Sequence, residues 1–331
     1  MIVMRDVFLG ELFNLAKNDS SIMLLSADMG APSLDQWRDE LPAQFIATGI
    51  AEQNTINVAA GLSAAGKKVY VYFMASWAAR CFEQIRYSCA LGENPITIIG
   101  NGIGLGYSPG GPAHEPNEDI AYMRSILGIE VITPSNNKST KELVHLTYNS
   151  SKLRYIRLER NHSEVIENLY TEDSGKLAIK NGFCVIESDL DSCEQESQFR
   201  NHVTILSCGF ILGRAKKVID MLKASNFSTR LIDVCKIKSL NSNLLDKMII
   251  RRQGMDVSQT IVTIEEQTLS GGFGSAIYEM LLDNNAKIDT LRFGLPEKYL
   301  LQNASRDYLL DNNGLSDVEI FSKILEFDRQ K

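Results

Sequence analysis

The sequence predicts an α/β protein with two domains, and three observations support this prediction. The chain has 331 residues, enough for about two domains of roughly 150 residues each. Short apolar segments alternate with helical segments, which is typical of a parallel sheet covered on both faces. A polar, acidic stretch at residues 187–202, ESDLDSCEQESQFRNH, separates two such regions. We expect this stretch to form an exposed loop beside a domain boundary.

The first alternating region begins with a helix. Residues 1–19 have the spacing of an amphipathic helix and lack the uninterrupted apolar core of a signal peptide. The apolar runs SIMLLSA at 21–27 and PITII at 95–99 predict buried strands. The remaining predictions for this region are strands at 68–73 and 130–133, helices at 52–65, 78–90, 119–127 and 139–150, and a glycine-rich loop at 100–112.

The second region repeats the alternation. We predict strands at 203–208, 228–234 and 260–265, a helix at 213–225, and a helix that follows the glycines of SGGFGS and continues to residue 282. Those glycines could hold a phosphate at the start of a helix, but we favour a structural turn. The predicted domains are residues 1–165 and 201–331, with 166–200 as the linker and the start of the second domain.

Composition excludes several classes of protein. The net charge of −7 and the lack of a basic block argue against a nucleic-acid-binding protein. No run approaches the roughly 18 apolar residues of a membrane span. Six scattered cysteines without a CxxC motif indicate reduced thiols. We therefore expect a cytoplasmic protein with no nucleic-acid or membrane partner.

One carboxylate stands out in a segment that otherwise looks ready for burial. Glu52 is the only acid in residues 46–80, IATGIAEQNTINVAAGLSAAGKKVYVYFMASWAAR. Burial disfavours the charged form of a carboxyl group, and such a group is suited to share a proton with a ligand. The alternative is that Glu52 stabilises the start of the predicted helix, where the dipole favours an acid. The two roles are compatible.

Six motifs together give the sequence a family resemblance. They are SADMG at 26–30, GIAEQN at 49–54, GPAHEP at 111–116, VITPSN at 131–136, LERN at 158–161 and IEEQTLSGGFGS at 264–275. In their order and spacing the chain resembles the C-terminal half of transketolase, and the matching parts of 1-deoxyxylulose-5-phosphate synthase and of 2-oxoacid dehydrogenase β subunits. These are thiamine diphosphate enzymes. The resemblance implies a pyrimidine-binding parallel-sheet domain followed by a smaller transketolase C-terminal α/β domain.

The resemblance also implies a partner. Full-length relatives bind the diphosphate and Mg²⁺ through a Gly-Asp-Gly motif in an additional N-terminal domain, and this sequence contains no Gly-Asp-Gly. We therefore expect an N-terminal transketolase subunit to supply the Mg²⁺ ligands. Pyrimidine domains of the family lie near a two-fold axis, which implies a heterotetramer of two plus two subunits. Small residues in the helix at 54–65 would allow close packing at that contact.

The family assigns roles to residues near the cofactor. The glutamate matching Glu52 hydrogen-bonds N1′ of the aminopyrimidine and favours the imino tautomer that takes the C2 proton of the thiazolium. Phe73, Met74 and Trp77 occupy the segment that forms the apolar slot for the ring, and helical spacing would place Phe73 and Trp77 on one side. Asp28 matches an acid near the cofactor and the subunit interface.

The family also assigns substrate contacts, with two departures in this chain. His114 matches a histidine that faces the reacting end of the substrate, and Arg160 matches a phosphate-binding arginine. Tyr107 and Asn101, in the same glycine-rich loop as His114, are weaker candidates. Transketolases usually carry Asp where this chain has Gly110, and often His near Gly102. An anionic substrate group is thus expected, whereas a standard pentose phosphate is less well supported.

Three functions remain open on this basis. The first is transfer of a two-carbon ketol unit between sugar-type substrates by a split transketolase, an enzyme of the transferase class. The second is a β subunit of a 2-oxoacid-decarboxylating enzyme or a pyruvate-using synthase, which the AEQ of GIAEQN favours, whereas SAD favours transketolase. The third is a non-catalytic assembly subunit, against which the retention of Glu52 and His114 argues.

Overall fold

The computed structural model describes residues 2–189, 201–252, 255–256 and 259–330. Two β-sheets organise this part of the chain. One has six strands and the other five, and a two-stranded hairpin accompanies them. The predicted α/β architecture is therefore confirmed. Most of the expected loop at 187–202 lies outside the described residues, and the boundaries proposed for the two domains stay a prediction.

The six-stranded sheet is entirely parallel, as predicted. Its strands are β1 (Ile22–Ser26), β2 (Phe45–Ala47), β3 (Lys68–Met74), β4 (Ile96–Asn101), β5 (Glu130–Ile132) and β6 (Arg154–Leu158). They are arranged in the order β2-β1-β3-β4-β6-β5. Every residue of β1, β4 and β6 is buried, because helices cover both faces of the sheet.

The five-stranded sheet is mixed. Its strands are β7 (Cys184–Ser188), β8 (His202–Ser207), β9 (Ser228–Asp233), β12 (Gln259–Thr268) and β13 (Asp289–Leu295), in the order β13-β12-β8-β9-β7. Only the edge strand β7 is antiparallel to its neighbour. The hairpin is formed by β10 (Arg251–Arg252) and β11 (Met255–Asp256).

The helices are interspersed with the strands along the chain. They are α1 (Met4–Ala16), α2 (Pro32–Glu40), α3 (Glu52–Ala64), α4 (Phe82–Gln84), α5 (Asp119–Ser125), α6 (Asn137–Tyr148), α7 (Glu164–Glu167), α8 (Glu172–Asn181), α9 (Leu212–Ala224), α10 (Asn243–Met248), α11 (Phe273–Asp283), α12 (Arg306–Asp311) and α13 (Asp317–Arg329). Side-chain caps start several of them. The Asn136 side chain accepts the Ser139 N–H at 2.9 Å before α6, and the Ser305 hydroxyl accepts the Tyr308 N–H at 3.3 Å before α12.

One segment differs from the predicted secondary structure, and a second supports the structural role predicted for it. The predicted helix at 78–90 is a 3₁₀ turn, Ala75–Cys81, then α4, then a π-helical segment, Ile85–Leu91. Apolar spacing indicates a helix but not its hydrogen-bond register, which packing decides; π segments recur at functional sites. At the SGGFGS glycines, the Glu265 carboxylate accepts the N–H groups of Phe273 and Gly274 at 2.6 and 2.8 Å. The start of α11 is thus capped by this chain's own side chain, which supports the structural role.

The two sheets are joined through backbone and side chains. The Thr133 N–H donates to Cys235 O at 2.7 Å, and the Ile237 N–H donates to Val131 O at 2.9 Å. Each of the two large apolar clusters contains residues from both sheets and their helices. The described part of the chain contains no helix long and apolar enough to cross a membrane.

Candidate functional site

The predicted site residues follow strands whose carboxyl ends meet along one edge of the six-stranded sheet. Ser26 at the end of β1 is paired with Ala47 of β2, and Asn101 at the end of β4 is paired with both Met74 of β3 and Leu158 of β6. In open α/β sheets, ligands bind outside the carboxyl ends of the strands. The register therefore gathers segments that are far apart in the sequence at one edge.

Glu52 is the first residue of α3, and its side chain is 2 % exposed. Its Oε2 accepts a hydrogen bond from Nη1 of Arg80 at 3.1 Å, and this arginine side chain is 51 % exposed. Oε1 of Glu52 is buried without a hydrogen-bond partner among the described residues. Buried polar atoms in native proteins are nearly always paired. This oxygen is therefore available to a hydrogen-bond donor of a ligand.

The helix-capping alternative for Glu52 receives less support. Ala51 precedes α3 and makes no side-chain cap. One Glu52 oxygen accepts a hydrogen bond from Arg80, and the other has no partner within the described residues. Neither oxygen therefore accepts a backbone N–H at the start of α3. A favourable interaction with the helix dipole remains.

The three candidates for the apolar slot do not share one surface. Phe73 and Met74 are consecutive residues of β3, and they pack into the two different apolar clusters, because adjacent strand residues point to opposite faces. The assumption of helical spacing from Phe73 to Trp77 is wrong, since Phe73 still belongs to the strand. Trp77, in the 3₁₀ turn, is partly exposed and contacts both clusters. Of the three, Trp77 retains the most surface for a ring.

In the glycine-rich loop, the rings of Tyr107 and His114 lie over Gly102 and Gly110, the two positions at which this chain differs from the usual transketolase sequence. At Gly102, with φ of +77°, a Cβ would lie 1.9 Å from Cε2 of Tyr107, and at Gly110 a Cβ would lie 2.9 Å from Cγ of His114. Neither position can therefore accept a side chain while these rings stay in place. The aspartate and histidine of the relatives are absent here, and rings cover their backbone positions instead.

Hydrogen bonds fix the same loop further. Nδ2 of Asn101 donates to the Tyr107 hydroxyl at 3.0 Å, and Nδ1 of His114 lies 3.0 Å from Gly110 O. The Tyr107 and His114 ring centroids are 6.4 Å apart. The short turn that contains His114 contacts the 3₁₀ turn with Trp77. The structure thus brings Asn101, Tyr107 and His114 together and sets them beside the Trp77 segment.

Arg160 and Asp28 occupy other parts of the same edge. Arg160 follows β6, and its guanidinium carbon lies 4.0 Å from the centroid of the Tyr107 ring, in cation–π contact. The side chain is otherwise exposed, so its remaining donors are accessible to an anionic group. Asp28 follows β1 in the left-handed region, with φ of 46°, and its side chain is exposed.

Two residues near this edge were missed by the sequence analysis. Arg80 is the hydrogen-bond partner of Glu52; it lies in the quoted segment, but nothing in the spacing pairs it with a residue 28 positions earlier. Glu115 follows His114, and neither of its buried oxygens has a hydrogen-bond partner in the described ranges. Burial raises the pKa of Glu115 to about 7. The GPAHEP motif was the available signal, but it directed attention to the histidine.

Across the described residues, no group of three or more His, Cys, Asp or Glu side chains is arranged to hold a metal ion.

Comparisons with known proteins cover most of the chain. Residues 1–164 match the family model of the transketolase pyrimidine-binding domain, and residues 192–320 match that of the transketolase C-terminal domain. The sequence is 27 % identical to one subunit of the apulose-4-phosphate transketolase of Phocaeicola vulgatus, over 99 % of this chain and 98 % of that protein. It is also 27 % identical to the 1-deoxy-D-xylulose-5-phosphate synthase of Pseudoalteromonas translucida, over 97 % of this chain but 48 % of that protein.

Solved structures agree with these matches. A split gene transketolase, described as an inactive β₄ tetramer, superimposes with a TM-score of 0.79 at 26 % identity, over 98 % of each chain. A transketolase variant from Pichia stipitis superimposes with a TM-score of 0.73 at 14 % identity, over 99 % of this chain and 46 % of that one. The second likeness shows the fold alone.

Proposed function

The chain belongs to the transketolase family, and on that premise we propose that it is the C-terminal subunit of a split, thiamine-diphosphate-dependent transketolase. The reaction is transfer of a two-carbon ketol unit between sugar-type substrates. The observation that carries this proposal is the free Oε1 of Glu52, buried at the carboxyl edge of the parallel sheet. A ligand with one nitrogen donor or acceptor and a flat apolar body suits that place.

The residues present suit the aminopyrimidine half of the cofactor. When bound, thiamine diphosphate supplies the carbanion chemistry that protein side chains lack. Glu52 would hold a proton between its free oxygen and a ring nitrogen, and Arg80 keeps the other oxygen in place. Trp77 offers an apolar face, and Met74 and Phe73 belong to the two clusters that it packs against. Asp28, exposed on the same edge, is a further candidate for the cofactor side.

The glycine-rich loop and the LERN turn, residues 158–161 at the end of β6, form the substrate side. His114 would donate to or accept from a substrate oxygen, and Asn101 and Tyr107 would hold the loop in register. Arg160 would bind a phosphate or carboxylate bidentately, since its planar guanidinium is already oriented by the Tyr107 ring. Loss of the aspartate at Gly110 removes one group that reads a donor hydroxyl, so we expect substrates other than the standard pentose phosphates.

The enzyme is proposed to act as an assembly. An N-terminal transketolase subunit would supply the diphosphate and Mg²⁺ ligands, and two copies of each subunit would form a heterotetramer. Support comes from the apulose-4-phosphate transketolase relative, itself one subunit of an enzyme, and from the split gene transketolase; each is matched over 98 % of its length. We predict that neither subunit alone turns over substrate.

Two observations favour a second function. Gly110 lies directly under the His114 ring and carries no carboxylate. A 1-deoxy-D-xylulose-5-phosphate synthase shares the same 27 % identity as the transketolase relative, although the match covers 48 % of that synthase against 98 % of the transketolase subunit. The alternative is thus a pyruvate-using synthase or the β subunit of a 2-oxoacid-decarboxylating enzyme. A non-catalytic assembly subunit is the third possibility.

One experiment separates these functions. The chain is combined with the matching N-terminal subunit, thiamine diphosphate and Mg²⁺, and is offered hydroxypyruvate, ketose phosphates or pyruvate with a panel of aldoses. Product formed from hydroxypyruvate or a ketose phosphate in the absence of pyruvate supports the proposal. Product from pyruvate alone supports the alternative. If an assembled complex that binds cofactor turns over none of these donors, the chain is an assembly subunit.

A further inference from the structure

A buried ion cluster at the domain interface connects the C-terminal domain to the substrate side of the site. Arg306, the first residue of α12, is 10 % exposed and contacts two carboxylates. Its Nη1 donates to Oε2 of Glu159 at 2.8 Å, and its Nε and Nη2 donate to Oε1 and Oε2 of Glu266 at 2.7 and 2.6 Å. Its guanidinium carbon lies 4.1 Å from the centroid of the Phe210 ring.

The first carboxylate fixes the LERN turn. Glu159 is completely buried, and its Oε1 accepts the backbone N–H groups of Arg160 and Asn161 at 2.8 and 2.9 Å, together with Nδ2 of Asn161 at 3.1 Å. The backbone conformation at Arg160 is therefore set by the carboxylate of the preceding residue. That carboxylate is in turn held by Arg306 of the other domain.

The second carboxylate fixes the glycine-rich loop. Oε1 of Glu266, near the end of β12, accepts the Leu105 N–H at 2.7 Å. The loop lies directly on this side chain, because a Cβ at Gly104 would be 2.8 Å from Cδ of Glu266. Gly106 approaches the other carboxylate, with 3.2 Å between a Cβ there and Oε1 of Glu159. The Arg306 guanidinium thus binds both carboxylates, Glu159 and Glu266, that pack against the glycine-rich loop.

The two fixed loops meet at the proposed substrate site. Arg160, from the LERN turn, stacks on Tyr107 from the glycine-rich loop, and Asn101 holds the Tyr107 hydroxyl. We propose that Arg306 is a positioning residue, which acts through Glu159 and Glu266 to set the relative position of Arg160 and Tyr107 for an anionic substrate group. Its effect on substrate rests on the proposed function, whereas its effect on the two loops does not.

The charges explain why the arginine is required. Glu159 and Glu266 are both buried, and their only cation in the described part of the chain is Arg306. Burial, opposed by the charge of Arg306, raises the pKa of Glu159. Without Arg306, two neighbouring carboxylates would lose their shared cation and would protonate or turn toward water. Either change weakens the charge-assisted bonds that hold the backbone of Leu105, Arg160 and Asn161.

Hydrogen exchange on the full chain tests the loop effect directly. In Arg306→Met, we expect the amides of Leu105, Arg160 and Asn161 to lose protection roughly tenfold or more, because each loses a charge-assisted acceptor. Arg306→Lys should give a smaller loss, since an ammonium group cannot bridge both carboxylates as the guanidinium fork does. The matched control is Arg214→Met. Arg214 also binds α12, through Asp307 and Asp311, but contacts neither carboxylate.

Each outcome decides the proposal. Selective loss of protection at these amides in the Arg306 variants, with Arg214→Met unchanged there, supports it. Unchanged protection in a folded Arg306→Met overturns it, as does equal loss in the Arg214 control. If Arg306→Met does not fold, Arg306→Lys alone decides by the same criterion.

The kinetic consequence is measured in the reconstituted enzyme. We expect kcat/KM for a phosphorylated acceptor to fall on the order of 10²-fold in Arg306→Met, mainly through KM, while exchange of the cofactor C2 proton keeps its wild-type rate. If the amides are deprotected but the wild type uses no ketol donor, the proposed function fails and the loop role stands. If amide protection and KM are both unchanged while the wild type uses a ketol donor, the positioning role is overturned and the proposed function stands.

Discussion

Replacing Glu52 by Gln exchanges one carboxyl oxygen for an amide NH2 group and leaves the shape of the side chain nearly unchanged. The amide keeps the size of the carboxylate and can still accept the Arg80 hydrogen bond at Oε2. What it loses is an ionisable oxygen at the buried position that has no partner in the described residues. The variant therefore separates a role in proton sharing from a role in packing or in helix capping.

The structure predicts a small effect on stability and a large effect on chemistry. Arg80 is half-exposed, so its pair with Glu52 contributes about 0–1 kcal/mol, and the helix dipole adds roughly 0.3–1 kcal/mol. Removing a buried charge offsets part of this loss, so the thermal midpoint should move by no more than about 2–4 °C. General acid–base catalysis typically contributes on the order of 10²-fold or more, which is roughly 2.7 kcal/mol in the barrier.

The assay is exchange of the C2 proton of thiamine diphosphate for deuterium, followed by NMR in the reconstituted complex. We expect Glu52→Gln to slow exchange by about 10²-fold or more and to leave subunit assembly intact. Glu83→Gln is the matched control, since it makes the same chemical change at an exposed residue of α4. Wild-type exchange in Glu52→Gln would refute the proton-sharing role and return Glu52 to the helix-dipole role.

Three further predictions address other groups. His114→Ala should keep C2 proton exchange but lower kcat by about 10²-fold or more; a matching fall in exchange would contradict a role confined to the substrate. Burial raises the pKa of Asp233 to about 7 from its usual 3.8. Between these pH values the unfolded state releases a proton from Asp233 that the folded state keeps. The contribution of Asp233 to wild-type stability is therefore complete at low pH and is lost as the pH rises. Urea unfolding measures the unfolding free energies of Asp233→Asn and of the wild type. The value for Asp233→Asn minus that for the wild type should rise from about pH 4 to 7. A difference that does not change with pH would show that Asp233 does not titrate in this range. Arg157→Met leaves the buried Asp119 without its cation, so the free energy of unfolding should fall by about 3–5 kcal/mol. The control Lys323→Met, in an exposed ion pair, should lower it by about 0–1 kcal/mol. Similar urea midpoints for the two variants would contradict this prediction.

The sequence determined the local elements and the family. Apolar runs such as SIMLLSA and PITII form β1 and β4 within a residue or two of the predicted bounds. They carry their signal locally, since strands buried on both faces are apolar throughout. The six motifs likewise identified the transketolase family. Short strands such as β2 were missed, because three residues carry too little periodicity.

Only the tertiary structure decided which residues meet. The strand order places Asn101 beside both Met74 and Leu158, and no local pattern contains that order. The pairing of Glu52 with Arg80, and the free oxygen that remains, depend on how α3 packs against the 3₁₀ turn. Arg306 lies 147 residues from Glu159 in sequence. Buried charges must be paired, and folding brings the partners together from distant parts of the chain. Because the partners are distant in sequence, their pairing produces no periodic pattern from which it could be predicted.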